Sequence, residues 1–170
     1  MKLLPHALLE ELAARAAASP RRRAHYNIPA APEDLVQRFI VMALQDSYFR
    51  PHRHAARAEL ALILEGDVEL VTFDERGALT ARSPVGGHSA SLAYETPPAA
   101  WHTVLVSSAR AAFLEIKQGP YDPATSSQFA QWAPAEGDAS VAAFQQWLQS
   151  AGVGDRWGIR PRRVTGARRA

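Results

Sequence analysis

The sequence predicts an all-β fold, a barrel or sandwich of short strands with a helix on either side. From Leu35 to Lys117 the chain falls into short β-type segments, and turn residues such as Gly66-Asp67, Asp74 to Gly77 and Gly86-Gly87 separate them. Many short strands with such punctuation are typical of sandwiches and barrels. The predicted strands are Val36 to Leu44, Ser47 to His54, Glu59 to Glu65, Val68 to Phe73, Ser89 to Tyr94, Thr103 to Ser107 and Ala111 to Lys117.

A helix is predicted before the strands and another after them. Leu4, Leu8 and Leu12 recur every four residues, and an alanine-rich stretch continues to Ala18, where Ser19-Pro20 ends the helix. We expect this helix to pack against the barrel. Near the other end, Ser140 is a candidate N-cap for a short helix that ends near Gly152.

These patterns divide the chain into three parts. Residues 1–34 form an N-terminal helix and arm, 35–119 the barrel, and 120–170 an irregular segment, a helix and a basic tail. With 170 residues, 47% hydrophobic and 21% charged, one hydrophobic core is the expectation. The N-terminus lacks the apolar run of a signal peptide or membrane span, and the chain has no cysteine, so a cytoplasmic location is predicted.

The basic charge of the chain is concentrated in the tail. The formal net charge is +2. Six arginines meet no acidic residue after Asp155: Arg156, Arg160, Arg162, Arg163, Arg168 and Arg169. We interpret them as a solvated tail, with contact to an anion as the alternative. No nucleic-acid-binding motif accompanies them, so neither nucleic acid nor membrane is a predicted partner.

Three metal-ligand candidates stand close together in the sequence. His52 and His54 are two residues apart, so on a β-strand their imidazoles point to the same face. Glu59 follows five residues after His54, and this odd spacing breaks the alternation. It can face the same interior only if residues 55–58 form a turn or bulge.

A fourth candidate, His102, lies downstream of two prolines. Pro97 and Pro98 cannot sit in a central strand, so they predict a corner before the strand that carries His102. Three imidazoles and a carboxylate suit one divalent ion such as iron, manganese, nickel, copper or zinc, and leave positions open if the ion is five- or six-coordinate. The absence of thiolates argues against a structural zinc cluster.

This pattern resembles the cupin superfamily, whose first motif, G-x5-H-x-H-x3,4-E-x6-G, is matched from His52 to Gly66. In the second motif, G-x5-P-x-G-x2-H-x3-N, Pro97 and His102 match, while Ala99 replaces the glycine and Val106 the asparagine. The resemblance implies a cupin double-stranded β-helix, or jelly roll, with His52, His54, Glu59 and His102 as metal ligands.

Up to Asp138 the chain is more specifically similar to cupin-fold metalloproteins of the WbuC type. The similarity rests on these segments: Ser19-Pro20-Arg21-Arg22-Arg23, Tyr48-x-Arg50-Pro51-His52-Arg53-His54, Phe73-Asp74-Glu75-x-Gly77, Trp101-His102-Thr103, Glu115-x-Lys117-x-Gly119-Pro120 and Trp132-x-Pro134-x-Glu136. It implies a link to bacterial surface polysaccharides, without a known reaction. The expected function is therefore binding or conversion of a small, anionic, carbohydrate-related molecule.

Two residues before the histidines are candidates for the ligand pocket. On an uninterrupted strand Tyr48 and Arg50 would share a face with His52 and His54, giving a phenol that could exchange protons and a guanidinium that could bind an anion. The alternative for Arg50 is an ion pair at the rim. An isomerase or epimerase, a dioxygenase and a non-catalytic ligand sensor all remain open.

Other polar residues are assigned no role in the site. His6, His25 and His88 are interpreted as surface or hydrogen-bonded histidines. Glu115 and Lys117 share a strand face, which predicts a solvated or internally paired face.

The apolar run from Leu60 to Leu64 has no alternation, which predicts a strand buried on both faces. The outer face needs a cover, either the N-terminal helix or a second subunit, and a homodimer is predicted.

Overall fold

The computed structural model describes residues 1–28 and 31–158. In this part of the chain the elements are α1 (Ala7–Ala18), β1 (Arg23–Asn27), β2 (Val36–Leu44), β3 (His52–Arg53), β4 (Glu59–Glu65), β5 (Asp67–Phe73), β6 (Leu79–Gly86), β7 (Ala93–Thr96), β8 (Trp101–Val106), β9 (Arg110–Gln118), β10 (Gln128–Phe129) and α2 (Val141–Ser150). The strands form two five-stranded sheets, a first sheet in the order β1-β2-β9-β4-β7 and a second sheet in the order β10-β3-β8-β5-β6, and all pairings are antiparallel.

The two sheets enclose an apolar core, and each helix covers an outer face. Between the sheets lie mainly valines, with Phe113 among the largest side chains. Leu8 and Leu12 of α1 pack on β2 of the first sheet, as expected for this helix. Phe144 and Leu148 of α2 pack on the second sheet.

The predicted strands β2 and β4 have the observed bounds, and the others differ in instructive ways. The segment 47–54 is a strand only at His52–Arg53, because backbone carbonyls before Pro51 bind side chains instead: Thr103 Oγ1 donates to the Phe49 carbonyl at 2.5 Å. Strand β6 was not predicted. It contains Pro84, and it lies at a sheet edge, where a missing N–H is tolerated.

The helix α2 begins where expected, with Ser140 at the N-cap position, but the Ser140 side chain does not cap the helix. Ser140 has helical backbone angles, and its side chain makes no capping hydrogen bond. The Ser140 hydroxyl instead donates to Asp138 Oδ1 at 2.7 Å. Capping by the Ser140 side chain is therefore wrong, although the helix ends at Ser150, close to the predicted Gly152.

Strand β4 is covered on its inner face and only partly on its outer face. Ala61 points inward and is fully buried, whereas Leu60 and Leu64 are 36% and 43% exposed. Helix α1 packs on β2, which β9 separates from β4, so the helix does not cover these two leucines completely. The expectation of a strand buried on both faces is thus wrong for the single chain, and the homodimer stays a prediction.

Among the described residues, no helix has the length and hydropathy that crossing a membrane requires. The cytoplasmic location stays a prediction. Of the basic tail, Arg156 contacts Asp74 at 3.4 Å, and Arg160, Arg162, Arg163, Arg168 and Arg169 lie outside the described residues.

Candidate metal centre

Four side chains from both sheets converge at one end of the barrel interior. They are the predicted ligands His52, His54, Glu59 and His102, and their donor atoms lie within 4.8 Å of one another. His54, Glu59 and His102 are nearly inaccessible to solvent, at 3%, 3% and 1% exposure, whereas His52 is half-buried. The group could therefore hold one ion that is reached from the side of His52.

The pairing of β3 with β8 brings two of the histidines together. His52 lies directly opposite His102 in the register of these strands, and their ring centroids are 4.5 Å apart. The ring of His54, just past the end of β3, is 5.2 Å from that of His52. Cross-strand neighbours on one face of a sheet are held at such short separations by the backbone ladder.

Glu59 reaches the cluster because the chain changes sheets between His54 and Glu59. Residues 55–58 form no strand, and β4 begins at Glu59 in the first sheet. The predicted interruption of the alternation is present, so the odd spacing is compatible with convergence. The carboxylate atom Oε2 of Glu59 lies 2.9 Å from Nε2 of His54, and Oε1 lies 3.6 Å from Nε2 of His102.

The corner before His102 is also present, and it includes a residue that departs from the cupin motif. Ala99, which occupies the glycine position of that motif, has a positive φ of 64° in the turn after Pro98. A left-handed conformation costs an alanine roughly 1–2 kcal/mol relative to glycine. The Ala99 N–H donates to the His54 carbonyl at 2.8 Å, so the strained turn also joins the two histidine-bearing segments.

All three imidazoles are oriented by backbone carbonyls. Nδ1 of His52 is 3.0 Å from the Arg50 carbonyl, Nδ1 of His102 is 2.9 Å from the Ala100 carbonyl, and Nδ1 of His54 is 2.5 Å from the Ser126 carbonyl. A carbonyl only accepts, so Nδ1 carries the proton, and in a neutral ring Nε2 keeps its lone pair. Histidine ligands of metals are commonly fixed in this way.

The charge states of the cluster suit metal binding. Burial, followed by the influence of His102, lowers the pKa of His52 to about 3, so this ring is neutral at pH 7. Burial alone would raise the pKa of Glu59, but its polar contacts, among them the charge of Lys117, hold it well below its usual value. The cluster therefore offers a neutral imidazole at His52 and an ionised carboxylate at Glu59.

One orphaned atom shows that the protein alone does not complete this cluster. Nε2 of His102 is buried and has no hydrogen-bond partner among the described residues. An unsatisfied buried polar atom costs about 1–3 kcal/mol, and a bound cation would satisfy it. The donor set of three imidazoles and one carboxylate thus fits a divalent transition metal, with no indication of which one.

Two charged residues next to the cluster were assigned to a solvated or paired face, and the structure places them inside the barrel. Lys117 Nζ lies 2.5 Å from Glu59 Oε2 and 3.5 Å from Glu115 Oε2. Glu115 and Lys117 are paired, in agreement with one of the two predicted alternatives, and they do not lie on a solvated face. Burial and the charge of Glu59 raise the pKa of Glu115 to about 8. One feature of the sequence indicates that Glu115 and Lys117 face inward: they share a face of β9 with Phe113, a core residue.

A cavity of about 370 Å³ opens beside the cluster and has His52, Arg50, Glu115 and Lys117 in its lining. Arg50 donates through Nη2 to the Ala130 carbonyl at 2.7 Å and makes no ion pair within residues 1–28 and 31–158. The rim ion pair considered for Arg50 is therefore absent from this part of the chain. The other lining arginines, Arg21 and Arg23, both pair with Glu136.

Tyr48 does not lie in this cavity. Residues 47–51 are not a strand, so the expected parity with His52 does not hold. The Tyr48 hydroxyl donates to the Pro134 carbonyl at 2.8 Å, and the ring packs on Phe144 of α2. A role for Tyr48 in proton exchange stays a prediction, and this placement gives it no geometric support.

Comparisons with known proteins agree on the fold. Residues 4–85 match the family model described as a domain of unknown function, DUF6016. No curated protein matches the chain. An uncharacterized conserved protein with a double-stranded beta-helix domain from Klebsiella pneumoniae is similar with a TM-score of 0.54 and 11% identity, over 77% of this chain and 98% of that one.

Two further solved structures are similar. CapF, in complex with 3-isopropenyl-tropolone, has a TM-score of 0.55 and 13% identity. The similar region covers 65% of this chain and only 32% of CapF. Oxalate oxidase, in complex with the substrate analogue glycolate, has a TM-score of 0.51 and 12% identity over 78% of this chain and 68% of that one. Together with the two antiparallel sheets, these similarities confirm the predicted double-stranded β-helix fold, with a helix at each end.

Proposed function

We propose that this protein is a metal-dependent cupin that binds a small, anionic, carbohydrate-related ligand in the cavity between Arg50 and the histidine cluster. The observation that carries the proposal is the position of Arg50, a cation without an acidic partner in the described chain, in a cavity that His52 also lines. A guanidinium offers a planar pair of donors that suits a carboxylate or phosphate. The link to carbohydrates comes from the resemblance to WbuC-type proteins.

A bound divalent ion would be held by His52, His54, Glu59 and His102 and would supply a Lewis acid, or a redox centre if it is iron, manganese or copper. Lys117 holds one oxygen of Glu59 and so restrains its carboxylate. Arg50 would orient the ligand's acidic group towards the half-buried His52. Oxalate oxidase, a structural relative, was solved with glycolate, a small carboxylate.

Whether the site is catalytic depends on the ion and on turnover. Iron together with oxygen consumption would favour a dioxygenase. Zinc or nickel without oxygen consumption would favour an isomerase or a ligand sensor. Metal analysis of protein purified without added metal separates these alternatives.

The role of Arg50 is tested by calorimetry on metal-loaded protein with sugar acids and sugar phosphates. A charge-assisted hydrogen bond of about 1.5–3 kcal/mol implies that Arg50→Ala weakens binding roughly ten- to a hundredfold. Arg50→Lys should also weaken it, because the ammonium keeps the charge but loses the paired donors. Metal content should not change in either variant.

Arg53→Ala is the matched control, since Arg53 pairs with Glu75 at 2.9 Å and is absent from the cavity lining. This variant should bind as tightly as wild type. If Arg50→Ala binds every tested anion as well as wild type does, the anion-binding function must be abandoned.

We also propose a homodimer that forms through the outer face of β4, because Leu60 and Leu64 remain partly exposed there. Covering such a face removes apolar area from water. Sedimentation at tens of micromolar, a range set by ordinary association energies, should give twice the mass of 18.5 kDa. A monomer at that concentration would rule out the dimer.

A further inference from the structure

A second cavity of about 360 Å³ adjoins the one beside the histidine cluster. The two cavities share His25, Phe39 and Tyr121, and the second adds Asn27, Pro32 and Gln37. Each volume lies at the small end of the range for ligand pockets, about 300–1,000 Å³. The pair therefore suits a ligand built of two connected units.

The two cavities differ in charge. The cavity beside the cluster is lined by Arg50, Lys117 and Glu115, whereas no aspartate, glutamate, lysine or arginine lines the second. The histidine at the junction is neutral at pH 7, because desolvation and then the positive charges of Arg23 and Arg21 lower the pKa of His25 to about 4. The second cavity thus suits a neutral unit.

Gln37 supplies a fixed hydrogen-bond acceptor in this second cavity. The side chain is only 9% exposed, and Nε2 donates to the Asp34 carbonyl at 2.7 Å and to the Pro32 carbonyl at 3.1 Å. These two carbonyls accept only, so they fix which amide atom is nitrogen. The remaining atom, Oε1, receives no hydrogen bond from the described residues and would accept one from a hydroxyl group of a ligand.

Two aromatic rings complete the walls. Phe39 is held between Lys117, whose Nζ is 4.8 Å from the ring centroid, and His25, whose ring centroid is 6.0 Å away. Tyr121 is 48% exposed, and its N–H donates to the Pro32 carbonyl at 2.8 Å. The close approach of this segment requires Gly119, because a Cβ there would lie 2.0 Å from the Asp34 carbonyl oxygen. The wall is therefore built into the fold.

We infer that His25, Asn27, Gln37, Phe39 and Tyr121 form a second subsite for the neutral, hydroxylated ring of a ligand whose acidic unit binds beside Arg50. Aromatic faces pack against the apolar C–H surface of a sugar ring, and the Gln37 oxygen accepts from one of its hydroxyl groups. This inference rests on the proposed function, and it narrows the ligand class to an acidic sugar linked to a neutral sugar.

The test compares two probes by calorimetry on metal-loaded protein. They are glucuronate and a disaccharide in which glucuronate is linked to a neutral hexose. Wild type should bind the disaccharide at least about tenfold more tightly, the gain expected from one additional moderate contact surface. Tyr121→Ala should remove most of this gain and leave the metal content unchanged.

Two more variants test the aromatic ring of Tyr121 and the hydrogen-bond acceptor of Gln37 separately. Tyr121→Phe keeps the aromatic wall and should retain the gain. Gln37→Met should weaken the disaccharide between about twofold and tenfold, the range of one ordinary hydrogen bond. Leu92→Ala, which truncates a 64% exposed leucine outside both cavities, is the control and should match wild type.

The outcomes distinguish the subsite from the proposed function. Equal affinity of wild type for both probes, or no effect of Tyr121→Ala on the disaccharide, would overturn the second subsite while anion binding beside Arg50 stands. Failure of wild type to bind either probe would overturn the proposed function for sugar acids, and the subsite with it.

Discussion

The inward faces of β8 and β9 differ sharply between the two ends of the barrel. At one end they carry hydrocarbon side chains, namely Val104, Val106, Ala111 and Phe113. At the other end the same strands carry His102, Glu115 and Lys117. The backbone alternation is continuous through both ends, so what changes is only the residue type at successive inward positions.

This difference shows that the two ends of the barrel have different roles, one in stability and the other in binding. Burying a phenylalanine stabilises the folded state by about 1.5–3 kcal/mol, whereas an unpaired buried polar atom such as Nε2 of His102 costs about 1–3 kcal/mol. The apolar end therefore offsets the cost of the polar end. The polar end is kept available for binding, because its donors are oriented but not all satisfied.

The largest expected effect follows from removing ligands at the polar end. Wild type should hold one divalent metal per chain, at roughly 2.0 to 2.2 Å from imidazole nitrogens and a carboxylate oxygen, and the double variant His54→Ala/His102→Ala should hold none. A metal that binds only the folded state stabilises it by mass action. Chelation should therefore lower the melting temperature of wild type and leave that of the double variant unchanged.

Elemental analysis and thermal melts with and without a chelator measure both effects. The control is His88→Ala, because His88 is exposed, contacts Asp67 and does not belong to the group of candidate ligands. It should keep the metal and the chelator response. Equal metal content in wild type and the double variant would falsify the assignment of these ligands.

The contrast between the two ends also explains what the sequence could and could not predict. The spacing of His52 and His54 was sufficient to expect their rings on one face, and the odd spacing of Glu59 indicated an interruption at residues 55–58, because strand parity is a local property. Pro97 and Pro98 similarly marked the corner before His102. In each case the signal lies within a few residues along the chain.

The residues that sequence reasoning missed depend on contacts far apart in the chain. Lys117 meets Glu59 only because β9 pairs with β4, with these two residues directly opposite. The one local signal for an inward Glu115 and Lys117 is their strand parity with Phe113. Tyr48 shows the converse error, since its expected parity assumed a strand where the backbone leaves the ladder before Pro51.

A substitution at the apolar end is expected to lower the stability strongly and to leave the metal content unchanged. Phe113 is 1% exposed, and Phe113→Ala should reduce the free energy of unfolding by about 3–5 kcal/mol through lost contacts and the cavity left behind. The four candidate ligands are untouched by this change. Below its lowered melting temperature the variant should hold one metal per chain, as wild type does, and Leu92→Ala at the surface should change neither property.

Denaturant titration of the metal-free proteins measures the change in stability, and elemental analysis of the refolded variant measures the metal. A stable Phe113→Ala variant that has lost its metal would mean that the apolar end positions the ligands directly, and the division between the two ends would fail. A destabilised variant with full metal content would support the division between a stabilising apolar end and a metal-binding polar end. The packing of Phe113 would then contribute the stability that offsets the unsatisfied polar atoms at the other end, because both act on the same small net free energy of unfolding.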